Sequence, residues 1–163
     1  MSDELLQQVL HEHGGLLTRI ATTYEARAAQ RQDLLQDIAL ALWRALPGFR
    51  QEASLKTFVA RVAHNRGVDH VINQKRHGDW IDVPESLADD ADPERDVVHA
   101  QQRARLLHAM RRLPLNLQAV LSLALEGFSH GEISATLGIT TNNVDVRLAR
   151  ARAQLRKLMG AAA

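Results

Sequence analysis

The chain of 163 residues has no cysteine, which excludes a disulfide scaffold and thiolate metal sites and fits a reducing compartment. No apolar run approaches the roughly 20 residues that span a bilayer, so no membrane span is expected. The N-terminal Met1-Ser-Asp-Glu4 is acidic where a secretory signal is basic, which predicts no export and a cytoplasmic location. There is no Gly-rich phosphate loop and no nucleophile elbow. The eight histidines are scattered, and His11-Glu-His13 lacks the i, i+4 spacing that points two imidazoles at one ion. No metal, no cofactor and no catalytic site is expected, so the chain reads as a non-enzyme. Sustained period-two alternation is missing too. Aliphatic residues instead recur at spacings of three and four, which predicts an all-α protein.

The most informative stretch runs from Gly127 to Leu158. Ser129 followed three residues later by Glu132 is a capping box that starts a helix. Ile133 and Leu137 share one face of that helix, and Gly138 permits the left-handed backbone that ends it. Ile139 fills the corner, and Thr140 or Thr141 caps a second helix. On that helix Val144, Leu148, Ala151, Leu155 and Leu158 form an apolar stripe, while Arg147, Arg150, Arg152, Arg156 and Lys157 lie opposite. This is a helix-turn-helix with a basic second helix. In a major groove its first turns meet base edges and its later cations meet phosphates. Asn142, Asn143, Asp145 and Arg147 have the chemistry to read adenine, cytosine and guanine edges. A solvated basic helix within an all-α bundle is the plainer alternative.

Charge is unevenly distributed. Residues 1–80 hold ten Lys and Arg against nine Asp and Glu, residues 81–99 hold one against seven, and residues 100–163 hold nine against three. Only the last part has the electrostatic footprint of a nucleic-acid binder. The periodicity predicts helices over Asp3–His13 and Leu16–Ala28, broken near Gly14-Gly15. A third covers Gln32–Leu46, ended by Pro47-Gly48, and a long one runs from about Leu55 to Lys75. These make a first domain, residues 1–76. Residues 77–91 lose periodicity and form an acidic linker. Asp92-Pro93-Glu94 restarts a helix, and a second domain covers residues 92–163, with helices over Pro93–Arg112 and Leu115–Leu125 before the helix-turn-helix.

Two separated segments resemble one family. Asp33-Leu-Leu-Gln-Asp-Ile-Ala-Leu-Ala-Leu-Trp-Arg44 is similar to the D-L-x-Q-D/E-x-F-x-x-L/V-W-R/K helix of sigma factor region 2, and Phe58-Val-Ala-Arg-Val-Ala-His-Asn65 resembles the W-L-x-x-I/V-A-x-N segment that follows it. Gly127 to Leu155 resembles region 4. With both segments in order and a short linker between them, nearly the whole chain is similar to an extracytoplasmic-function sigma factor of bacterial RNA polymerase.

The resemblance implies a promoter-specificity subunit that binds core RNA polymerase and promoter DNA and is not itself an enzyme. It implies polymerase docking through Asp33, Gln36, Asp37 and Arg44. It implies minus-ten promoter contacts from Phe49, Arg50, Arg61, His64, Asn65 and Arg66, and minus-35 contacts from Thr141, Asn142, Asn143, Asp145, Arg147, Arg150 and Arg152. An anti-sigma factor, where one exists, would cover the paired surfaces of both domains. The linker's net charge of −6 over residues 81–99 suits either a nucleic-acid mimic in a basic channel or a plain solvated spacer. Phe58 stands where the family usually has Trp. Asp145 and Val146 replace common Lys and Ser, and Asn142-Asn143 replace a frequent Gly-Thr, so the docking mode carries over while the DNA target does not. Taken without the resemblance, Asn65 reads as a helix-surface amide and the chain equally as a helix-turn-helix regulator with a ligand-sensing or dimerising N-terminal domain. A protein-interaction adaptor would show no salt-dependent DNA affinity.

Overall fold

The computed structural model describes residues 2–50, 52–78 and 97–160; among them are seven α-helices, one 3-10 turn and no strand. Helix α1 covers Ser2–Tyr24 without a break, which corrects the expected interruption at Gly14-Gly15. Two interior glycines cost about 1 kcal/mol each relative to alanine, but Val9 before them and Leu16, Leu17 and Ile20 after them lie in one buried face. Packing of that face outweighs the local propensity. Helix α2, Ala28–Ala45, begins four residues earlier than expected and buries Leu34, Ile38 and Leu42, with Leu35 only half-buried. It ends in the 3-10 turn Leu46–Gly48 that Pro47 imposes. Helix α3, Leu55–Arg76, starts at Ser54, whose hydroxyl accepts the Thr57 amide at 3.1 Å.

The α1–α3 contact is close. A Cβ on Gly67 would fall 2.4 Å from the Tyr24 ring, so only glycine fits there. Beside it, the buried Glu25 accepts from His70 at 2.9 Å, from Gln74 at 2.8 Å and from the Arg27 amide at 2.9 Å. Burial alone would raise the Glu25 pKa, but its bonds to His70, Arg27 and Gln74 outweigh that and hold the carboxyl well below the usual range. The α1–α2 turn is thereby tied to α3.

In the second half, α4 covers Val97–Arg111, α5 Leu115–Leu125, α6 His130–Leu137 and α7 Thr141–Gly160. Helix α5 is the central one, with seven consecutive buried residues from Leu117 to Leu123. The expected capping box is formed: the Ser129 amide donates to Glu132 at 2.9 Å and the Glu132 amide to Ser129 at 3.1 Å. Gly138 ends α6 at φ 69°, in the left-handed region. Of the two candidate caps for α7, Thr140 accepts the Asn143 amide at 3.1 Å. His77 and Gly78 form the exit turn of α3; the rest of the expected linker and the Asp92-Pro93-Glu94 restart lie outside the described residues.

The two halves pack against each other. Arg19 of α1 pairs with Glu126 at 2.7 Å, and Arg61 of α3 donates to the backbone carbonyls of Ala135 and Thr136 at the end of α6. Arg111 of α4 donates to the Thr22 carbonyl, and Gln118 of α5 to the Thr23 carbonyl. Lys56 of α3 reaches Glu132 at 3.2 Å and lies 4.2 Å above the Phe128 ring.

Gly67→Ala should destabilise the fold by about 1–3 kcal/mol, because the Tyr24 ring has to move and the gain in helix propensity does not offset that. Gly14→Ala, with nothing within 4 Å of the new methyl group, should instead stabilise by about 0.5–1 kcal/mol. Urea denaturation of both variants checks the contrast; equal effects would show that the ring contact costs nothing. Glu25 has a folded-state pKa below its unfolded value, so its stabilisation is present above the ordinary carboxylate range of about 4.3 and is lost as pH falls through the folded value. Glu25→Gln should therefore be less stable at neutral pH and lose less stability on acidification than the wild type, measured by urea midpoints across the acid range. Parallel loss in both proteins would remove Glu25 from the acid response.

Candidate nucleic-acid and partner-binding surfaces

The helix-turn-helix is built around Ile133, Val144, Leu148 and Ala151, all buried against α5 and against one another. That core leaves Thr141, Asn142, Asn143 and Asp145 exposed on the first turns of α7, with Arg147 half-buried and Arg150, Arg152 and Arg156 exposed farther along. The structure thus brings together all seven residues expected to face minus-35 DNA, on one helix held by two caps and a corner. The corner is tightened by the Ser134 hydroxyl, which donates to the Ile139 carbonyl. Asp145 is paired with His130 Nδ1 at 2.5 Å. Sequence reasoning missed His130; its signal was its place as the first residue of α6, across the turn from the start of α7.

The six residues expected at the minus-ten site fare differently. Asn65 is exposed on α3, and Arg50 is exposed just before it. Arg66 is held by Asp37 of α2 at 2.7 Å and by Asp69 at 3.5 Å. Arg61 is engaged with the α6 carbonyls. Phe49 packs its ring on Phe58, with centroids 4.9 Å apart. His64 faces inward: its Nδ1 lies 2.7 Å from the Tyr24 hydroxyl, and burial pushes its pKa down to about 4, so it is a neutral ring at pH 7 and no cation for a phosphate. Burial likewise raises the Tyr24 pKa, which keeps the hydroxyl protonated.

On α2, Asp33 and Gln36 are exposed and form one stripe with Leu40 and Trp43, at spacings of three and four. Leu40 and Trp43 are 45% and 43% exposed, an uncommon pair of large apolar side chains in solvent. The Trp43 indole N–H donates to Asp3 at 2.9 Å, and Arg44 is exposed beside it. Sequence reasoning named the polar members of this face and missed the apolar ones, although both lie out of phase with the buried Leu34, Ile38 and Leu42. Asp37 lies on the edge between this stripe and α3. It lines a groove of about 380 Å³ together with Arg66, Asp69, His70, Ile72, Asn73 and Arg76. Among the described residues no group of three or more His, Cys, Asp or Glu could hold a metal ion, and no helix is long and apolar enough to cross a membrane.

Comparison with known proteins bears on both halves. Residues 9–77 match the model of Sigma-70 region 2 and residues 103–155 that of Sigma-70, region 4. The RNA polymerase sigma factor NccH of Alcaligenes xylosoxydans xylosoxydans is 29% identical over 158 residues, covering 93% of this chain and 85% of its own. The ECF RNA polymerase sigma factor SigM of Mycobacterium tuberculosis is 28% identical over 155 residues, covering 94% of this chain and 76% of its own. The fold is shared with CnrH, solved in complex with the cytosolic domain of CnrY, at a TM-score of 0.72 and 23% identity over 99% of this chain and 91% of that one. An exposed recognition helix behind a helical domain, with both halves matched in this order, makes the chain a member of the extracytoplasmic-function group of the sigma-70 family.

Proposed function

We propose that this protein binds core RNA polymerase through its first half and directs it to promoters through both halves, as an extracytoplasmic-function sigma factor. The observation that carries the reading is the order of the two matched regions, with the Sigma-70 region 2 match occupying residues 9–77. That match fills the place where the competing reading, a conventional helix-turn-helix regulator, needs a sensing or dimerising domain. Promoter-specific transcription by core polymerase supplemented with the purified chain tests it, because a conventional regulator cannot replace a sigma subunit.

Residue roles follow from geometry and charge. The stripe of Asp33, Gln36, Leu40 and Trp43, flanked by Asp37 and Arg44, is the docking face for polymerase. Arg50, Arg61, Asn65 and Arg66 meet the separated minus-ten strand, while Phe49 supports α3 through Phe58 and His64 anchors it to Tyr24 of α1. The first turns of α7 read minus-35 bases and its later arginines hold phosphates. The domains divide as 1–76, 77–91 and 92–163. The protein supplies no catalytic group of its own and works in the cytoplasm, where the polymerase is. The likeness to CnrH, solved in complex with the cytosolic domain of CnrY, supports a proteinaceous regulator.

Asp37→Lys should weaken binding to core polymerase at least tenfold while changing stability by no more than about 1 kcal/mol, the usual worth of an exposed pair such as Asp37–Arg66. Titration against core enzyme and urea denaturation read the two effects, and an unchanged affinity would take Asp37 off the docking face. Asn143→Ala or Asp145→Ala should cost about 1–3 kcal/mol at one preferred minus-35 base and relax preference there. Arg150→Ala should weaken binding to all sequences alike and lower the salt slope by about one unit. Binding selection from randomised sites at several salt concentrations separates them. A changed base preference for Arg150→Ala, with none for the other two, would reverse the docking orientation.

A further inference from the structure

Helix α7 carries an apolar side chain where a solvated helix has no use for one. Val144, Leu148 and Ala151 are its buried residues. At about 100° per residue, Val146 lies about 160° from both Val144 and Leu148 and about 140° from Ala151. It therefore points away from the core, takes no part in the hydrophobic cluster and is 39% exposed. Met159, at the far end of α7, is the other large apolar residue this helix leaves exposed. Helix formation does not call for valine there, since a β-branched residue is a poorer helix former than alanine.

The surroundings of Val146 define what covers it. One turn earlier on the same side stand Asn142 and Asn143, and one turn later Arg150, all exposed. Asp145 sits to one side, where its carboxylate pairs with His130 of α6 at 2.5 Å. Helix α7 holds five Lys and Arg against that one acid, a field that suits a polyanion. Among the groups that paired bases show in the major groove, the amino groups, ring nitrogens and carbonyls are polar, and the C5-methyl of thymine alone is apolar.

We propose that Val146 is a base-reading residue that takes up the C5-methyl group of a thymine in the major groove, beside the bases met by Asn142 and Asn143. The proposal rests on the reading of α7 as the minus-35 recognition helix and adds to it a preference that hydrogen bonding does not express. Asparagine favours adenine through two hydrogen bonds. Valine favours thymine over cytosine, because cytosine offers no methyl group and its amino group loses water there without gaining a partner.

Deoxyuridine, which pairs as thymidine does but lacks the methyl group, isolates this contact. Site selection from duplexes randomised across the minus-35 region is run with the full chain alone and with the chain bound to core polymerase. Each thymidine of the selected site is then replaced singly by deoxyuridine. The wild type should lose affinity about three- to fourfold at one thymidine, the worth of burying one methyl-sized group. Val146→Ser should bind the thymidine and deoxyuridine duplexes alike at that position, while Val146→Thr, which keeps one γ-methyl, should retain part of the discrimination. Serine, threonine and valine have similar helix propensities, so urea midpoints should agree across the three proteins and misfolding does not imitate the result. Failure to select a site, a selected site without thymine, wild-type indifference to every deoxyuridine, or the same loss in Val146→Ser as in the wild type would each overturn the assignment. Promoter-directed initiation with core polymerase is scored in parallel. Thymine discrimination that depends on Val146 without any initiation defeats the sigma-factor reading and leaves the methyl contact standing, whereas normal initiation with unaltered discrimination in Val146→Ser defeats the contact alone.

Discussion

Between Thr22 and Glu25 the last turn of α1 meets three other helices and the start of a fourth. The Thr22 and Thr23 carbonyls receive Arg111 of α4 and Gln118 of α5. The Tyr24 ring lies against Gly67 and its hydroxyl against His64, both on α3. Glu25 gathers His70 and Gln74 of α3 and the Arg27 amide that precedes α2. A helix end exposes carbonyls that must be satisfied wherever water is excluded, and this chain satisfies them with side chains from elsewhere in the fold. That one turn therefore ties α3 to the start of α2, and the second half to the first.

The energetic contrast between this turn and the outer surfaces bears on how the molecule can move. Glu25 and Tyr24 are buried, and removing a partner there leaves an uncompensated polar group that costs several kcal/mol. The ion pairs Asp37–Arg66, between α2 and α3, and Lys56–Glu132, between the two halves, are roughly 40% exposed on both partners, and such pairs contribute about 0–1 kcal/mol. Groups bound that weakly can change partners when a polymerase or a phosphate arrives. The joint within the first half is permanent, while its surface charges are exchangeable. Asp37 is the instructive case, because it stands between the exposed α2 stripe proposed to dock and the α3 cation Arg66.

The second half follows a different logic. Helix α5 is buried along seven consecutive residues, so α6 and α7 are set on a rigid floor, and two N-terminal caps with a left-handed glycine fix the turn between them. A recognition helix has to present its first turns at a fixed angle for bidentate base contacts to form. Packing supplies that angle and leaves the side chains of the first turns of α7 exposed. The His130–Asp145 pair ties the start of α6 to the start of α7.

The sequence by itself determined the helix-turn-helix and the helical class, because each rests on signals within a few residues: a capping box at Ser129 and Glu132, Gly138 after the last apolar residue, and stripes at spacings of three and four. It also marked the exposed polar residues of α2, Asp33, Gln36 and Arg44. Only the tertiary structure decided that α1 runs through Gly14-Gly15, that His64 is a neutral ring under Tyr24, that Phe49 packs on Phe58, and that Leu40 and Trp43 face solvent. It alone placed Arg61 on α6 and Arg66 on Asp37. These outcomes depend on partners 9 to 75 positions away, and local propensity carries no information about which distant group will arrive to bury a ring, satisfy a carbonyl or pair a charge.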